Sequence, residues 1–264
     1  MKLGFIGCGN MASAMIGGII NNKICNQDNI IASDAYFPAL KKAEETLHIQ
    51  TSSDNKAVVL LADILFLSIK PQYYETVIKE IKDSISENQI VITIAPGKTL
   101  NWLSDNFDKP VKIVRCMPNT PALVCEGITG VCANELVTQT ELELVLKVLS
   151  GFGSTEILSE NLMDVVVSVS GSSPAYVFMF IEAMADAAVA DGMPRTQAYK
   201  FAAQSVLGSA KMILETGKHP GELKDMVCSP GGTTIEAVRV LEKNGFRSSV
   251  IEAMKACTKK AKGL

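Results

Sequence analysis

The chain has 264 residues, enough for two domains at about 150 residues each and for a buried core. Hydrophobic residues make up 47% and charged residues 20%, which excludes a disordered chain. A net charge of −3, with no Lys/Arg cluster, offers no track for nucleic-acid phosphates, so the expected partner is a small molecule.

The first 160 residues alternate short runs rich in Ile, Val and Leu with longer stretches of helical spacing. The short runs are KLGFIG (2–7), NIIAS (29–33), DILFLSI (63–69), QIVITIA (89–95), VKIVRCM (111–117), ITGVCA (128–133) and STEILS (154–159). Helical spacing is clearest at 38–47, 74–85 and 138–149. Strands alternating with helices predict parallel βαβ units, and continuous apolar runs predict strands buried on both faces.

In the first unit, Gly7-Cys8-Gly9-Asn10-Met11-Ala12 follows the strand and opens a helix. The first glycine permits a tight turn and the second lets a pyrophosphate approach the backbone, while the small Ala12 permits close helix–sheet packing. Free N–H groups and the positive end of the helix dipole then face the phosphates. Placement after a strand and before a helix makes this spacing a dinucleotide fingerprint. About 20 residues on, the second strand ends in Ser33-Asp34, where a carboxylate suits a ribose 2′-hydroxyl and repels a 2′-phosphate. NAD(H) use, with NADP(H) tolerated, is the expectation; Ser33 can donate to a phosphate and Lys41 or Lys42 can swing in. Two more loops leave carboxyl ends of strands, Ser68-Ile69-Lys70-Pro71-Gln72 and Ala95-Pro96-Gly97.

Past residue 161 the strand signal stops. Helices are expected at 174–190, 196–215, 220–226 and 234–244, with Ser173 capping ahead of Pro174 and with Gly192 and Gly245 closing two of them. The run AYVFMFIEAMADAAVA (175–190) is apolar on nearly all sides and should be buried on nearly all sides. About a hundred such residues do not hide themselves, which predicts a homodimer or larger assembly.

No membrane segment is expected. Residues 3–22 are uncharged but hold five glycines, Asn10 and Ser13, without a small-residue cleavage site after a greasy run. Residues 165–181 are uncharged too, but short for a span and interrupted by Ser170-Gly171-Ser172-Ser173-Pro174. The seven cysteines form no CxxC and fall in apolar segments, as small hydrophobes kept reduced in a cytoplasm do. With two histidines in the chain, no metal site is expected.

The blocks GCGNMA, SIKPQ, VRCMPNTPA, SGSSPAY, DGMPR and HPGELKDMVCSPGGTTIEAV, in this order over nearly the whole chain, resemble pyrroline-5-carboxylate reductase. The last block is the most specific, because a general dinucleotide-binding protein does not need it. The resemblance implies NAD(P)H-dependent reduction of Δ1-pyrroline-5-carboxylate to L-proline, the last step of proline biosynthesis. It also implies an α/β fold: an N-terminal Rossmann-type, doubly wound, mostly parallel sheet over 1–160, then an all-α substrate-binding and dimerisation domain over 161–264. Dimers in that family often assemble into decamers. Carried over by position, cofactor contacts fall on Ile6, Gly7, Cys8, Gly9, Asn10, Met11, Asn55, Ser68, Ile69, Lys70, Pro71, Ala95, Pro96 and Gly97. Ala12, Ser33 and Asp34 join them from the fingerprint. Substrate contacts fall on Glu160, Ser229, Gly231, Gly232, Thr233 and Thr234. Two residues depart from the family pattern: Met226 stands where relatives often have Asn, and Pro96 where Ala is usual.

Hydride attack on C=N is easiest when the nitrogen is protonated, and solvent can supply that proton, so the protein's work is mostly positioning. Accordingly, residues 148–194 contain no Lys, Arg or His. The substrate carboxylate needs a holder, and Ser229-Pro230-Gly231-Gly232-Thr233-Thr234 offers N–H groups at a helix start plus hydroxyls, an anion site without formal charge. Thr234 is the candidate catalytic hydroxyl beside the imine nitrogen; alternatively Thr233 or Thr234 caps a helix beginning at Ile235. His219, before Pro220, reads as structural. Arg115 suits an internal ion pair as well as a ligand contact. Another imine or β-hydroxyacid oxidoreductase is the first rival; β-hydroxyacid dehydrogenases use a lysine on the first helix of the second domain, and residues 148–197 of this chain contain none. The second, a non-catalytic dinucleotide-binding paralogue, would have no need of SPGGTT.

Overall fold

The computed structural model of the chain describes residues 1–263. In chain order the elements are β1 (Leu3–Ile6), α1 (Asn10–Asn21), β2 (Ile30–Ser33), α2 (Phe37–Leu47), β3 (Gln50–Ser52), α3 (Asn55–Leu61), β4 (Ile64–Leu67), α4 (Tyr74–Ile81), β5 (Ile90–Thr93) and α5 (Leu100–Phe107). They continue with β6 (Lys112–Met117), β7 (Gly127–Ala133), α6 (Gln139–Leu149), β8 (Gly153–Ile157), α7 (Met163–Val166), α8 (Ser173–Ala190), α9 (Arg195–Thr216), α10 (Pro220–Val227), α11 (Thr233–Lys243) and α12 (Phe246–Ala261).

The strands form one eight-stranded sheet in the order β3-β2-β1-β4-β5-β6-β7-β8. Every neighbouring pair is parallel except β6 with β7. Alternate side chains along each strand feed opposite faces. Phe5, Phe66, Ile92 and Val114 join Met15, Ile16 and Ile19 of α1 and Val145 and Val148 of α6 in one apolar cluster. Ile6, Leu65, Leu67, Val91 and Ile113 join Val58, Ile78, Leu103 and Phe107 in the other. Burial on both faces explains why β1, β2, β4 and β5 have no exposed position. Phe5 and Phe66 stack across β1 and β4 with ring centroids 4.4 Å apart.

Three departures from sequence expectation have physical causes. Strand β3, sequence QTS, is short and polar because it is an edge strand, half-solvated, and it lacks the apolar run that marks its neighbours. Ser170-Gly171-Ser172-Ser173-Pro174 does not interrupt the helical course: residues Val167–Gly171 form a π turn, with Ser172 N donating to Val167 O at 2.8 Å, and helix continues from Glu160 to Ala190. Ser173 therefore lies inside the helix instead of capping it. Pro174 has no N–H for Ser170 O; Asn119 Nδ2 donates to that carbonyl instead, at 3.1 Å, while Asn119 Oδ1 accepts from Ile128 N. The resulting 31-residue helix is long and apolar enough to cross a membrane by length and composition, so the ground on which 165–181 looked too short falls away. Third, α8 is not buried within the chain: only Ala185 is, whereas Phe178 and Met179 are 64% and 68% exposed.

The chain divides into two compact units, Met1–Ser172 together with the residues from Thr258 on, and Ser173–Cys257. Within the second, α8 packs on α9, and Gly192 (φ +94°) lets Met193 N reach back to Ala188 O at 2.9 Å. Gly245 (φ +71°) follows the last turn of α11, its N donating to Glu242 O at 3.0 Å. Phe201 and Leu214 of α9 are 68% and 84% exposed, so this unit presents large apolar surface on both helices.

Tyr74, fully buried, ties two loop-bearing strands together. Its hydroxyl donates to Leu67 O (2.6 Å) and accepts from Thr93 Oγ1 (2.9 Å), and burial pushes its pKa far above the usual phenol value. Tyr74→Phe removes both bonds, and thermal unfolding is expected to show a loss of about 1–3 kcal/mol.

Candidate active site

Strand order reverses between β1 and β4, so the chain leaves their carboxyl ends in opposite directions and opens a crevice there. The two strand ends nearly touch. Gly7 N donates to Ser33 O (2.6 Å) and Ser68 N donates to Ile6 O (2.8 Å). Gly7 has φ +106°, and a Cβ there would fall 2.6 Å from Ser68 O, so both backbone conformation and space demand glycine. Gly9 differs: a Cβ on it would meet nothing within 4 Å. Its bareness serves no contact inside the protein and leaves the start of α1 open to a group from outside. Gly9 is also the N-cap of α1 and supplies no side-chain cap, so the first N–H groups of the helix are available.

A cavity of about 550 Å³ lies over this crevice. It brings together Ile6, Gly7, Gly9, Asp34, Asn55, Ser68, Ile69 and Lys70 of the sequence-derived set. Ser68 Oγ is buried with no partner among the described residues, an orphan that a bound ligand would satisfy. Ser33, fully buried, reaches the cavity through a relay: its Oγ donates to Asn55 Oδ1 (2.7 Å), and Asn55 Nδ2 donates to Glu80 Oε2 (3.0 Å). Asp34 accepts Cys8 N on one oxygen (2.7 Å) and Tyr36 N on the other (2.8 Å). Asp34 and Glu80 thus make one end of the cavity acidic, with Lys70 the cation on its lining. These features fit the adenosine and pyrophosphate parts of a dinucleotide.

The remaining fingerprint residues sit around the cradle. Cys8 and Ala12 are buried under it, Met11 is half-buried and Asn10 exposed. Burial and the Asp34 carboxylate push the Cys8 thiol up to about 12, which keeps it neutral and packed. Pro71 opens a short 3-10 turn ahead of α4, and Ala95 is buried in the core below α5. Pro96 is exposed, and Gly97 (φ +73°) lines a second cavity of about 560 Å³ with Thr99, Arg115, Glu160, Asn161 and Asp164. Arg115 forms the internal ion pair: Nη1 donates to Glu160 Oε1 at 2.9 Å. Sequence reasoning missed Tyr73, Thr76, Val77 and Glu80 in the first cavity and Asp164 in the second. They are single positions on helices and turns with no motif of their own, and only the three-dimensional approach picks them out.

In the second unit, residues 229–232 make a tight turn, Gly232 N donating to Ser229 O at 3.0 Å, with Pro230 and Gly231 (φ +68°) at its corner. A Cβ on Gly232 would lie 2.4 Å from Ser229 Oγ, so a side chain there would require the Ser229 hydroxyl to swing away. Helix α11 starts at Thr233, with Gly232 as N-cap and no side-chain capping bond. The capping alternative for Thr233 and Thr234 is therefore not used; both lie in the first turn with their hydroxyls free of that duty. Met226 is 62% exposed. His219 is structural, its Nδ1 accepting Gly221 N at 3.0 Å to cap α10. Cys8, Cys25, Cys116 and Cys132 are buried, and Cys125, Cys228 and Cys257 are half-buried.

Residues 160–264 match the family model described as pyrroline-5-carboxylate reductase dimerisation, and residues 2–97 match that described as NADP oxidoreductase coenzyme F420-dependent. The pyrroline-5-carboxylate reductase of Escherichia coli K12 is 52% identical over 266 residues, covering 100% of this chain and 98% of that protein. A solved pyrroline-5-carboxylate reductase from Coxiella burnetii superposes with a TM-score of 0.91 at 35% identity, over 99% of this chain and 97% of that one. The Plasmodium falciparum pyrroline carboxylate reductase, solved with NADP bound, gives 0.90 at 32% identity, over 100% and 97%. This chain belongs to the pyrroline-5-carboxylate reductase family.

Proposed function

We propose that the chain reduces Δ1-pyrroline-5-carboxylate to L-proline, with NAD(P)H along the β1–β4 crevice and the substrate carboxylate at Ser229-Pro230-Gly231-Gly232-Thr233-Thr234. One observation carries the substrate half: a glycine-shaped turn opens a helix whose first-turn hydroxyls are not spent on capping, which suits a small anion. Bound NAD(P)H supplies the hydride. The chain's own residues bind and orient. Gly7, Cys8, Gly9, Asn10, Met11 and Ala12 form the pyrophosphate cradle; Ser33, Asp34 and Asn55 take the adenosine ribose. Ser68, Ile69, Lys70, Pro71, Ala95, Pro96 and Gly97 line the way toward the nicotinamide. Ser229, Gly231, Gly232 and Thr233 hold the carboxylate, and the family resemblance adds Glu160 of the first unit as a substrate contact. Thr234 Oγ1 lies beside the imine nitrogen and donates to it or relays a proton.

The division of labour follows at 1–160 for the dinucleotide and 161–264 for substrate and self-association. The exposed apolar faces of α8 and α9 support a homodimer, from which a decamer can be built, and the seven free cysteines suit a reducing, cytoplasmic compartment. A β-hydroxyacid oxidoreductase is disfavoured because residues 148–197 contain no lysine.

Asp34 and Glu80 at the ribose end favour a 2′-hydroxyl over a 2′-phosphate, so NADH is the preferred cofactor and NADPH is tolerated. Turnover of pyrroline-5-carboxylate followed at the nicotinamide absorbance, with each cofactor, checks both the activity and the preference. A higher kcat/KM with NADH is expected, and a preference of about a hundredfold for NADPH contradicts it. Thr234→Ala is expected to lower kcat/KM at least about tenfold, ~1.4 kcal/mol, with an unchanged melting temperature; unchanged kinetics would remove the role.

A further inference from the structure

We propose that Arg115 is a positioning residue for the cofactor-side loop Ala95-Pro96-Gly97, acting through Glu160. The inference rests on that loop touching the dinucleotide. Arg115 lies near the carboxyl end of β6, in register with Thr93 of β5, and is 2% exposed. Its Nη1 donates to Glu160 Oε1 at 2.9 Å, its Nη2 lies 3.8 Å from Asp164 Oδ1, and its buried Nε has no partner among the described residues.

Glu160 Oε1 also accepts Leu100 N, at 2.7 Å. A single carboxylate oxygen thus joins a buried guanidinium on β6 to the first residue of α5. Thr99 caps this helix by accepting Trp102 N at 3.1 Å. The Leu100 N–H lies beyond the reach of that cap, and Glu160 supplies the acceptor, with a negative charge where the helix dipole favours one. The loop between β5 and α5 is held at its start by Ala95 N donating to Thr93 Oγ1 (3.4 Å) and at its far end by the Leu100–Glu160 bond. Between them stands Gly97, with φ +73° and open space at its Cβ position. Arg115 therefore fixes where the loop ends without reaching the loop itself. A buried ion pair is a weak device for stability alone, since apolar residues of similar volume serve as well. Geometry is what it secures here: Glu160, Asn161 and Asp164 share one cavity with Gly97 and Thr99.

Trp102, the one tryptophan of the chain, lies in the first turn of α5 with Lys98 Nζ 3.7 Å above its ring, so its fluorescence reports on this loop. NADH is titrated into the intact full-length enzyme, wild type, R115K, R115M and E160Q, following Trp102 emission, and steady-state kinetics are measured on the same samples. R115M is expected to raise the NADH Kd at least about tenfold and lower kcat, while KM for pyrroline-5-carboxylate at saturating NADH stays within about twofold. E160Q removes the charge that holds the guanidinium while leaving an oxygen for Leu100 N, and is expected to raise the NADH Kd in the same direction as R115M but less; a wild-type NADH Kd in folded E160Q overturns the route through Glu160. Folded R115M with wild-type NADH Kd, or with only the imine KM raised, overturns the proposal. Should R115M not fold, R115K carries the test: an ammonium does not reproduce the guanidinium fork, so a weaker NADH Kd is expected and an unchanged one overturns it. A wild-type enzyme that fails to bind NADH overturns the dinucleotide assignment itself, whereas wild-type binding with an unaffected variant overturns the role of Arg115 alone.

Discussion

The close approach of Gly7 to Ser68 O, where β1 and β4 end side by side, governs what the first unit can do. A Cβ at Gly7 would sit 2.6 Å from that carbonyl, so the two strand ends meet only because the side chain is absent. From this contact α1 departs on one side and the Ser68-Ile69-Lys70 loop on the other, and the crevice between them is where a parallel sheet of this order accepts a ligand. Tyr74 and Thr93 then tie the β4 loop to the β5 loop, and the Arg115–Glu160 pair ties the β5 loop to β6. Each successive loop along the carboxyl edge is braced by a buried polar side chain from its neighbour.

In the proposed reading both anionic groups of the reaction are met chiefly at helix starts, with Lys70 the one cation among the described residues lining the dinucleotide cavity. We assign the pyrophosphate to the opened start of α1 and the substrate carboxylate to the start of α11. Backbone dipoles hold an anion while leaving no basic side chain to compete for the imine proton or to trap the product by charge. On that proposal solvent protonates the imine, and Thr234 is assigned the orienting or relaying role. Such a site depends on glycine geometry more than on charge: Gly231 takes φ +68°, a conformation that favours glycine.

Much of this was legible in the residues. The continuous apolar runs marked β1, β2, β4 and β5 because burial on both faces leaves no polar position to break them, whereas β6, β7 and the edge strand β8 carry polar or exposed positions within their runs. Strand β3 escaped because an edge strand of sequence QTS has no such run. The GxGxxA spacing located the cradle, yet Glu80 and Asp164 carry no local signal, since their meaning comes from a neighbouring strand or loop. Pro174 was misleading in an instructive way. Proline after two serines ordinarily begins a helix, but here the π turn at Val167–Gly171 and the Asn119 side chain absorb its missing N–H, so the helix runs on. Likewise AYVFMFIEAMADAAVA demands a cover that its own chain does not provide, and the family match to a dimerisation domain identifies the kind of cover it needs.

Direct hydride transfer to the imine carbon is the central claim. NADH carrying deuterium at C4, in each of its two diastereomeric forms, is turned over with pyrroline-5-carboxylate in ordinary water, and the L-proline formed is read by mass and NMR. One diastereomer is expected to give proline with a single deuterium at C5, and the other to give unlabelled proline. Unlabelled proline from both, or no proline at all, would contradict it.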